Sequence, residues 1–431
     1  MKRTLKCLFV IGLLIFSFAS CSNDKSEVKQ SENQNHLEIS VYAKNTYLEN
    51  VAKEYMKKHE GITIDIITYA PDIDSSIVSS DELHKFATND KVPENYVKSI
   101  NTSLMAKKGS DIIELDVLPY YKYAKSGYLL NLNDYLSKDK KVQDELYPKM
   151  LDAMKYKDAL YAIPTDYTAY LYAGYNNIKG ENIDELIKNS EEFVKSSSSN
   201  TYISKDVNTL FNILYEKNYP KFINLQENKA DFDNDDFVKI LELCKKYSHN
   251  RMFPTTQNKD NENNIYTLSY DTIWTQDLLM THFGMEDNYT NRKVAKNINN
   301  EGYFTSRHSF GINYNSKNRD LAWDFIKFMV SSEMQSTPAV FPINKVALEN
   351  GFKKDITQIL KEAQLKDSEK VADEYIKRIK SYSEEISSYH FKDVIVEDIV
   401  STEVQSFFDG KSTAYETAKK IQQRVSLYFK E

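Results

Sequence analysis

Cysteine is scarce in this chain of 431 residues: three, at positions 7, 21 and 244. Cys7 lies in an N-terminal segment of the kind that export removes, and Cys21 stands at its end, so no internal disulfide framework can form. Cys244 shares a helical stripe with Phe237, Ile240 and Leu241 in DDFVKILELCKKY, which marks a buried core cysteine rather than a nucleophile. Catalytic signatures are also missing. There is no Gly-x-Ser-x-Gly elbow and no His-Glu-x-x-His, and the histidines at 36, 59, 84, 249, 282, 308 and 390 lack metal-ligand spacing. Neither a metal nor an organic cofactor is expected. Two fragments imitate ligand loops and fail. Gly410-Lys411-Ser412 echoes the end of a P-loop, but no glycine stands where its first one belongs and no strand leads in. Asp231, Asp233, Asp235 and Glu242 fall at EF-hand offsets, but Asp236 replaces the glycine of the sharp turn. Clustered positive charge is absent too: the 56 basic residues are interspersed with 63 acidic ones, which argues against a nucleic-acid partner. Glycine (11) and tryptophan (2) are rare beside 31 tyrosines, a composition that looks like the codon bias of an AT-rich genome, so a tyrosine cluster by itself carries little weight.

What is present begins at residue 1. Lys2, Arg3 and Lys6 precede the apolar run Leu8 to Phe18 and the small residues Ala19 and Ser20. The run is too short to span a ~30 Å hydrocarbon core, so it reads as a cleavable export signal and not a membrane helix. Phe-Ala-Ser-Cys resembles the lipobox of bacterial lipoproteins, with Phe18 where leucine is usual. The resemblance implies that residues 1–20 are removed, that Cys21 is acylated, and that the protein sits on the outer face of the cell membrane. Residues 22–36 are polar apart from Val28 and would form a solvated tether. The three basic residues lost with the signal take the formal charge from −7 to −10. The remaining ~410 residues exceed the size at which one core stops growing, so two lobes are expected.

The chain alternates between strand and helix patterns. Leu37 to Ala43 is apolar on alternate residues. Tyr47, Leu48, Val51, Ala52, Tyr55 and Met56 form one helical stripe, Gly61 stops it, and ITIDIIT follows. That is a βαβ unit, whose crossover implies parallel strands under a covering helix. A helix from Pro93 to Lys108, a strand from Asp111 to Asp116 and a helix between Pro119 and Gly127 continue an α/β lobe with an open sheet. Ligands of such sheets lie beyond the carboxyl ends of the strands.

Several segments carry a family resemblance over nearly all of the mature chain. GSDIIELDVLPYYKYAKSGYLLNLNDYL, MLDAMKYKDALYAIPTDYTAYLYAGYN, SFGINYNSKNRDLAWDFIKFMVSSEMQ with FPINKVAL, and the tail FFDGKSTAYETAKKIQQRVSLYFKE are similar, in order and spacing, to the extracellular solute-binding proteins of ABC importers of the maltose-binding type. The resemblance implies a two-lobed clamp of the periplasmic-binding-protein kind, each lobe an open sheet covered by helices, closing on a solute by hinge motion. Lobe 1 would comprise residues 37–165 and 303–340, and lobe 2 residues 166–302 and 341–431. It also implies a monomer that hands a small solute, a sugar above all, to the transmembrane subunits of a permease, without chemistry of its own.

The candidate ligand contacts lie where strands end at the expected cleft. Trp274 follows the strand pattern in NIYTLSYDTIW, where the family commonly stacks a tryptophan on a sugar face; a packed core ring is the alternative. Asp116 ends its strand, and Asp166 and Tyr167 end the first crossover; carboxylates accept hydrogen bonds from sugar hydroxyls, though helix capping or a solvated turn competes. Asn45, after the first strand, is a weaker candidate. Trp323, Arg307 and Asn344 read as structural. Two rival functions remain open at this level: a secreted clamp-fold enzyme using a cysteine, and a solute sensor lipoprotein with no permease.

Overall fold

Residues 39–43 are buried on both sides, as in a strand inside a parallel sheet, and form the centre of the strand His36–Lys44. Asn45 then accepts a hydrogen bond from the Leu48 amide and opens the helix Thr46–Lys58, with Glu49 in its first turn and Lys57 and Lys58 in its last, both favourable to the helix dipole. Leu48, Val51, Ala52 and Tyr55 are its buried face. Gly61, at φ +85°, makes the turn into Thr63–Asp74, which pairs parallel with the first strand. The computed structural model describes residues 35–76, 91–176, 178–197, 200–250, 264–272, 289–336 and 341–430. The export signal, Cys21, most of the tether and Trp274 lie outside them.

Two sheets organise the chain. The first has five strands in the order Thr63–Asp74, His36–Lys44, Ile112–Glu114, Ser309–Ile312 and Ile163–Pro164, the last two antiparallel to their neighbours. The second is built on Asp166–Tyr175, which pairs antiparallel with Leu268–Thr272, Tyr289–Val294, Gly302–Thr305 and Phe341–Pro342; Ile386–Tyr389 adds parallel to Gly302–Thr305. Alternation along Asp166–Tyr175 sends Tyr167, Ala169 and Leu171 to one core and Tyr170 and Tyr172 to the other. On the first of these faces lie the helices Lys353–Glu362 and Ser368–Glu384; the opposite face packs against Val207–Phe222, Asp235–Tyr247, Val394–Phe408 and Ala414–Tyr428. The molecule is a two-lobed α/β protein.

The chain changes sheet at Thr165, where Pro164 ends one ladder, again at Ser306–His308, and a third time between Ile312 and Phe341. The Gly302–Thr305 strand therefore belongs to the second sheet, and its crossover falls just beyond residue 303. Cys244 is fully buried, and Trp323 packs beside Phe325, Ile326 and Met329 on the buried face of Arg319–Met329. No helix among the described residues is long and apolar enough to cross a membrane.

Candidate functional site

The carboxyl ends of the first sheet meet the two crossovers in a buried polar cluster. Glu114, Asp116, Asp166, Arg307 and His308 are each at most 6% exposed. Strand Ile112–Glu114 ends there, and Leu115 fills the core behind it, so Glu114 and Asp116 are carried into the junction. Glu114 accepts the Tyr42 amide at 2.8 Å and meets His308 Nδ1 at 2.6 Å. Asp116 accepts both the amide and the hydroxyl of Ser309, at 2.6 and 2.8 Å. Burial, and secondarily the nearby Glu114, push its carboxyl up to about 8. Asp166 accepts the Arg307 amide at 2.8 Å, while the Arg307 guanidinium reaches the Ser76 carbonyl at 3.2 Å. Every group here bonds to the scaffold, so this cluster shapes the base of the junction.

Beside it lies a cavity of about 450 Å³ between the two lobes. One wall is the loop and helix after Asp116, with Pro119, Tyr121 and Lys122. The other is formed by Leu225, by Phe391 and Asp393 just after the Ile386–Tyr389 strand, and by Tyr428 and Phe429 at the end of the last helix. Tyr121 and Phe391, 9% and 4% exposed, pack edge-on against each other where the two walls touch, ring centroids 5.8 Å apart. Asp393 caps Val394–Phe408 and accepts the Tyr428 hydroxyl at 3.0 Å. Burial raises its carboxyl.

Behind Phe391 is a second buried charge group. Glu216, on Val207–Phe222, meets His390 Nδ1 at 2.6 Å and Lys392 Nζ at 2.8 Å. Burial raises this carboxyl, but Lys392 and the His390 bond outweigh it and hold it at about 2. Tyr303 stacks on His390 at 4.3 Å, and Tyr170 stacks on Tyr270 at 5.6 Å, so aromatic rings floor this end of the second lobe.

The residues expected from sequence fall as follows. Asp116 and Asp166 lie in the junction cluster. Asn45 caps the first helix, and its amide nitrogen is buried without a hydrogen-bond partner. Tyr167 points the other way: its hydroxyl bonds Ser383 at 2.6 Å and its ring packs between Tyr147 and Phe341. Asn344 caps Lys345–Ala347 and bonds Glu145, a structural role. Sequence reasoning did not single out Glu114, Tyr121, Glu216, Phe391 or Lys392. The available signal was a charge inside an apolar run, Glu114 in IIEL and Glu216 in FNILYE. Among the described residues no group of acids, histidines and cysteines is arranged to hold a metal ion.

A family model described as bacterial extracellular solute-binding protein matches residues 90–359. The chain belongs to that family. This solute-binding protein is similar in fold to the sugar-binding protein MalE of Xanthomonas citri, at 14% identity and a TM-score of 0.59, covering 92% of this chain and 97% of that one. An ABC substrate-binding protein of Listeria monocytogenes, solved with cycloalternan, gives 15% identity and a TM-score of 0.53 over 91% and 98% of the two chains. The maltodextrin-binding MalE domain of Bdellovibrio bacteriovorus, solved with maltotriose, gives 13% and 0.53 over 92% and 100%. No curated protein matches by sequence.

Proposed function

We propose that the protein captures a carbohydrate outside the cell membrane and delivers it to the transmembrane subunits of an ABC importer. The observation that carries this reading is the interlobe cavity walled by Tyr121, Phe391, Tyr428 and Phe429. Flat rings offer sugars an apolar face at low entropic cost, and polar groups at the rim fix orientation. Structural likeness to proteins solved with maltotriose and cycloalternan supports the same class. In this reading Trp274 adds a stacking ring, Asp116, Asp166 and Asn45 contribute at the junction, and Tyr167 acts from behind by packing. The lobes divide as residues 37–165 with about 306–340, and 166–305 with 341–431, the expected boundary at 303 moving past the Gly302–Thr305 strand. Cys21 carries the lipid anchor, residues 22–36 are the tether, and the protein works as a monomer.

The reading involves no covalent chemistry. Cys244 is fully buried and burial pushes its thiol well above the ordinary range, which leaves a cysteine-dependent enzyme no reactive group there. Co-purification with membrane permease subunits separates an importer from a sensor. A melting-temperature screen of the purified protein against saccharides, amino acids, peptides and polyamines tests the solute class, because a solute at ~100 times its Kd adds about 2.7 kcal/mol of stability.

A further inference from the structure

His308 sits in the segment by which the chain passes from the second sheet back to the first. It is 2% exposed, and each ring nitrogen faces an oxygen: Nδ1 lies 2.6 Å from Glu114 Oε1 and Nε2 lies 3.2 Å from the Ser75 carbonyl. A carbonyl can only accept. Glu114 also accepts the Tyr42 amide on its other oxygen at 2.8 Å. A neutral imidazole donates once, so an ionised Glu114 and the Ser75 carbonyl are both satisfied only by the imidazolium.

We propose that His308 is a proton-operated lock on the second crossover: the doubly donating imidazolium pins this crossover to the first lobe through Glu114 and Ser75, and loss of its proton frees one bond and loosens the angle between the lobes. This goes beyond the solute reading and requires no solute for its test.

The surroundings make that proton consequential. Glu114 and Asp116 face His308 from the end of the Ile112–Glu114 strand, Asp166 from the first crossover, and Arg307 from the neighbouring position. Asp74, just before Ser75, is taken up by Thr46 and Ser76 and does not compete. Arg307 pins the same crossover to Ser76 on the same lobe, so the two side chains hold adjacent carbonyls of one loop. Three acids, Glu114, Asp116 and Asp166, face two basic side chains, Arg307 and His308, so a neutral His308 leaves Arg307 as the one cation among them. Burial lowers the His308 value, but the Glu114 bond and charge outweigh it, so the imidazole is raised above its usual 6.5. A raised folded-state value means that the stabilisation is complete below about pH 6.5 and is lost as pH rises through the folded value.

The test uses the full chain without solute. Imidazole nitrogen NMR, with His308 assigned from His308→Gln, should show a cationic ring with two N–H groups at pH 7 and a midpoint above 6.5. Melting temperature should fall through that midpoint in the wild type and show no such step in His308→Gln. Glu114→Gln should move the His308 midpoint down by about one pH unit or more. The radius of gyration from small-angle scattering should increase above the wild-type midpoint. A neutral ring at pH 7, an unchanged pH step in His308→Gln, or a radius of gyration constant across the midpoint would each overturn the proposal. Should His308→Gln fail to fold, the Glu114→Gln titration and the wild-type scattering curve still decide it.

Discussion

Replacing Glu216 with glutamine should cost the second lobe a large part of its stability. The carboxylate is 5% exposed and bonds two groups at once, the His390 ring at Nδ1 (2.6 Å) and the Lys392 ammonium (2.8 Å). Glutamine keeps the shape and loses the charge, which leaves the Lys392 ammonium beside a neutral amide in a largely dry site. Removing one partner of a buried pair costs about 3–5 kcal/mol, mostly as the penalty of the charge left behind. For a lobe of some two hundred residues that corresponds to a fall in melting temperature of roughly 6–20 °C. The pH dependence has a definite sign. A carboxyl held down at about 2 contributes stability above its ordinary value of 4.5 and loses it as pH falls through that window. The gap between wild type and variant should therefore be full at pH 7 and shrink below about pH 4.5. The double variant Glu216→Gln, Lys392→Met removes the stranded ammonium and should recover much of the loss. Calorimetric melting of the four proteins of this cycle decides the matter. A Glu216→Gln protein melting within about 2 °C of wild type at pH 7 would refute the reasoning.

Other substitutions probe separate parts of the account. Gly311→Ala places a methyl 2.7 Å from Leu115 Cδ1 and 2.8 Å from the Tyr161 carbonyl, so overpacking should cost about 1–3 kcal/mol, read as a lower melting temperature. Trp274→Ala should weaken solute binding by about 2 kcal/mol, near thirtyfold by calorimetric titration, while folding survives; unchanged affinity with a collapsed melting temperature would place the ring in a core. Cys21→Ala should abolish incorporation of labelled fatty acid and release protein from the membrane; a wild-type protein that takes no label and begins at another residue would contradict the anchor.

The first βαβ unit was readable because its signals are local: alternating apolar residues, a helical stripe from Tyr47 to Met56 and a stop at Gly61, all within thirty residues. Gly127, at positive φ, likewise follows the helix Tyr120–Lys125, whereas the helix expected over Pro93–Lys108 runs Lys91–Met105 and ends short of Gly109. The site was far less legible. Asp116 finds Ser309, Asp166 finds Arg307 and Glu216 finds His390, pairings that join residues 141 to 193 positions apart. Nothing in local spacing reports such partners. Glu216 is obscured further because its helix is buried over most of its surface, so no polar face marks the charge as unusual. His308, one of seven scattered histidines, acquires meaning only when two crossovers bring Glu114 and Ser75 to it. Tyr167 shows the converse. Its place at a strand end pointed to the cleft, but strand alternation turns it towards Ser383.

The cavity between the lobes is our proposed carbohydrate site. The most direct measurement is calorimetric titration of the purified protein with the saccharides that raise its melting temperature, repeated on Tyr121→Ala. The account predicts saturable one-to-one binding of a saccharide to the wild type, with affinity reduced roughly tenfold or more when the ring facing Phe391 is removed. Saturable binding of an amino acid, peptide or polyamine with no saccharide bound, or saccharide affinity indifferent to Tyr121, would contradict it.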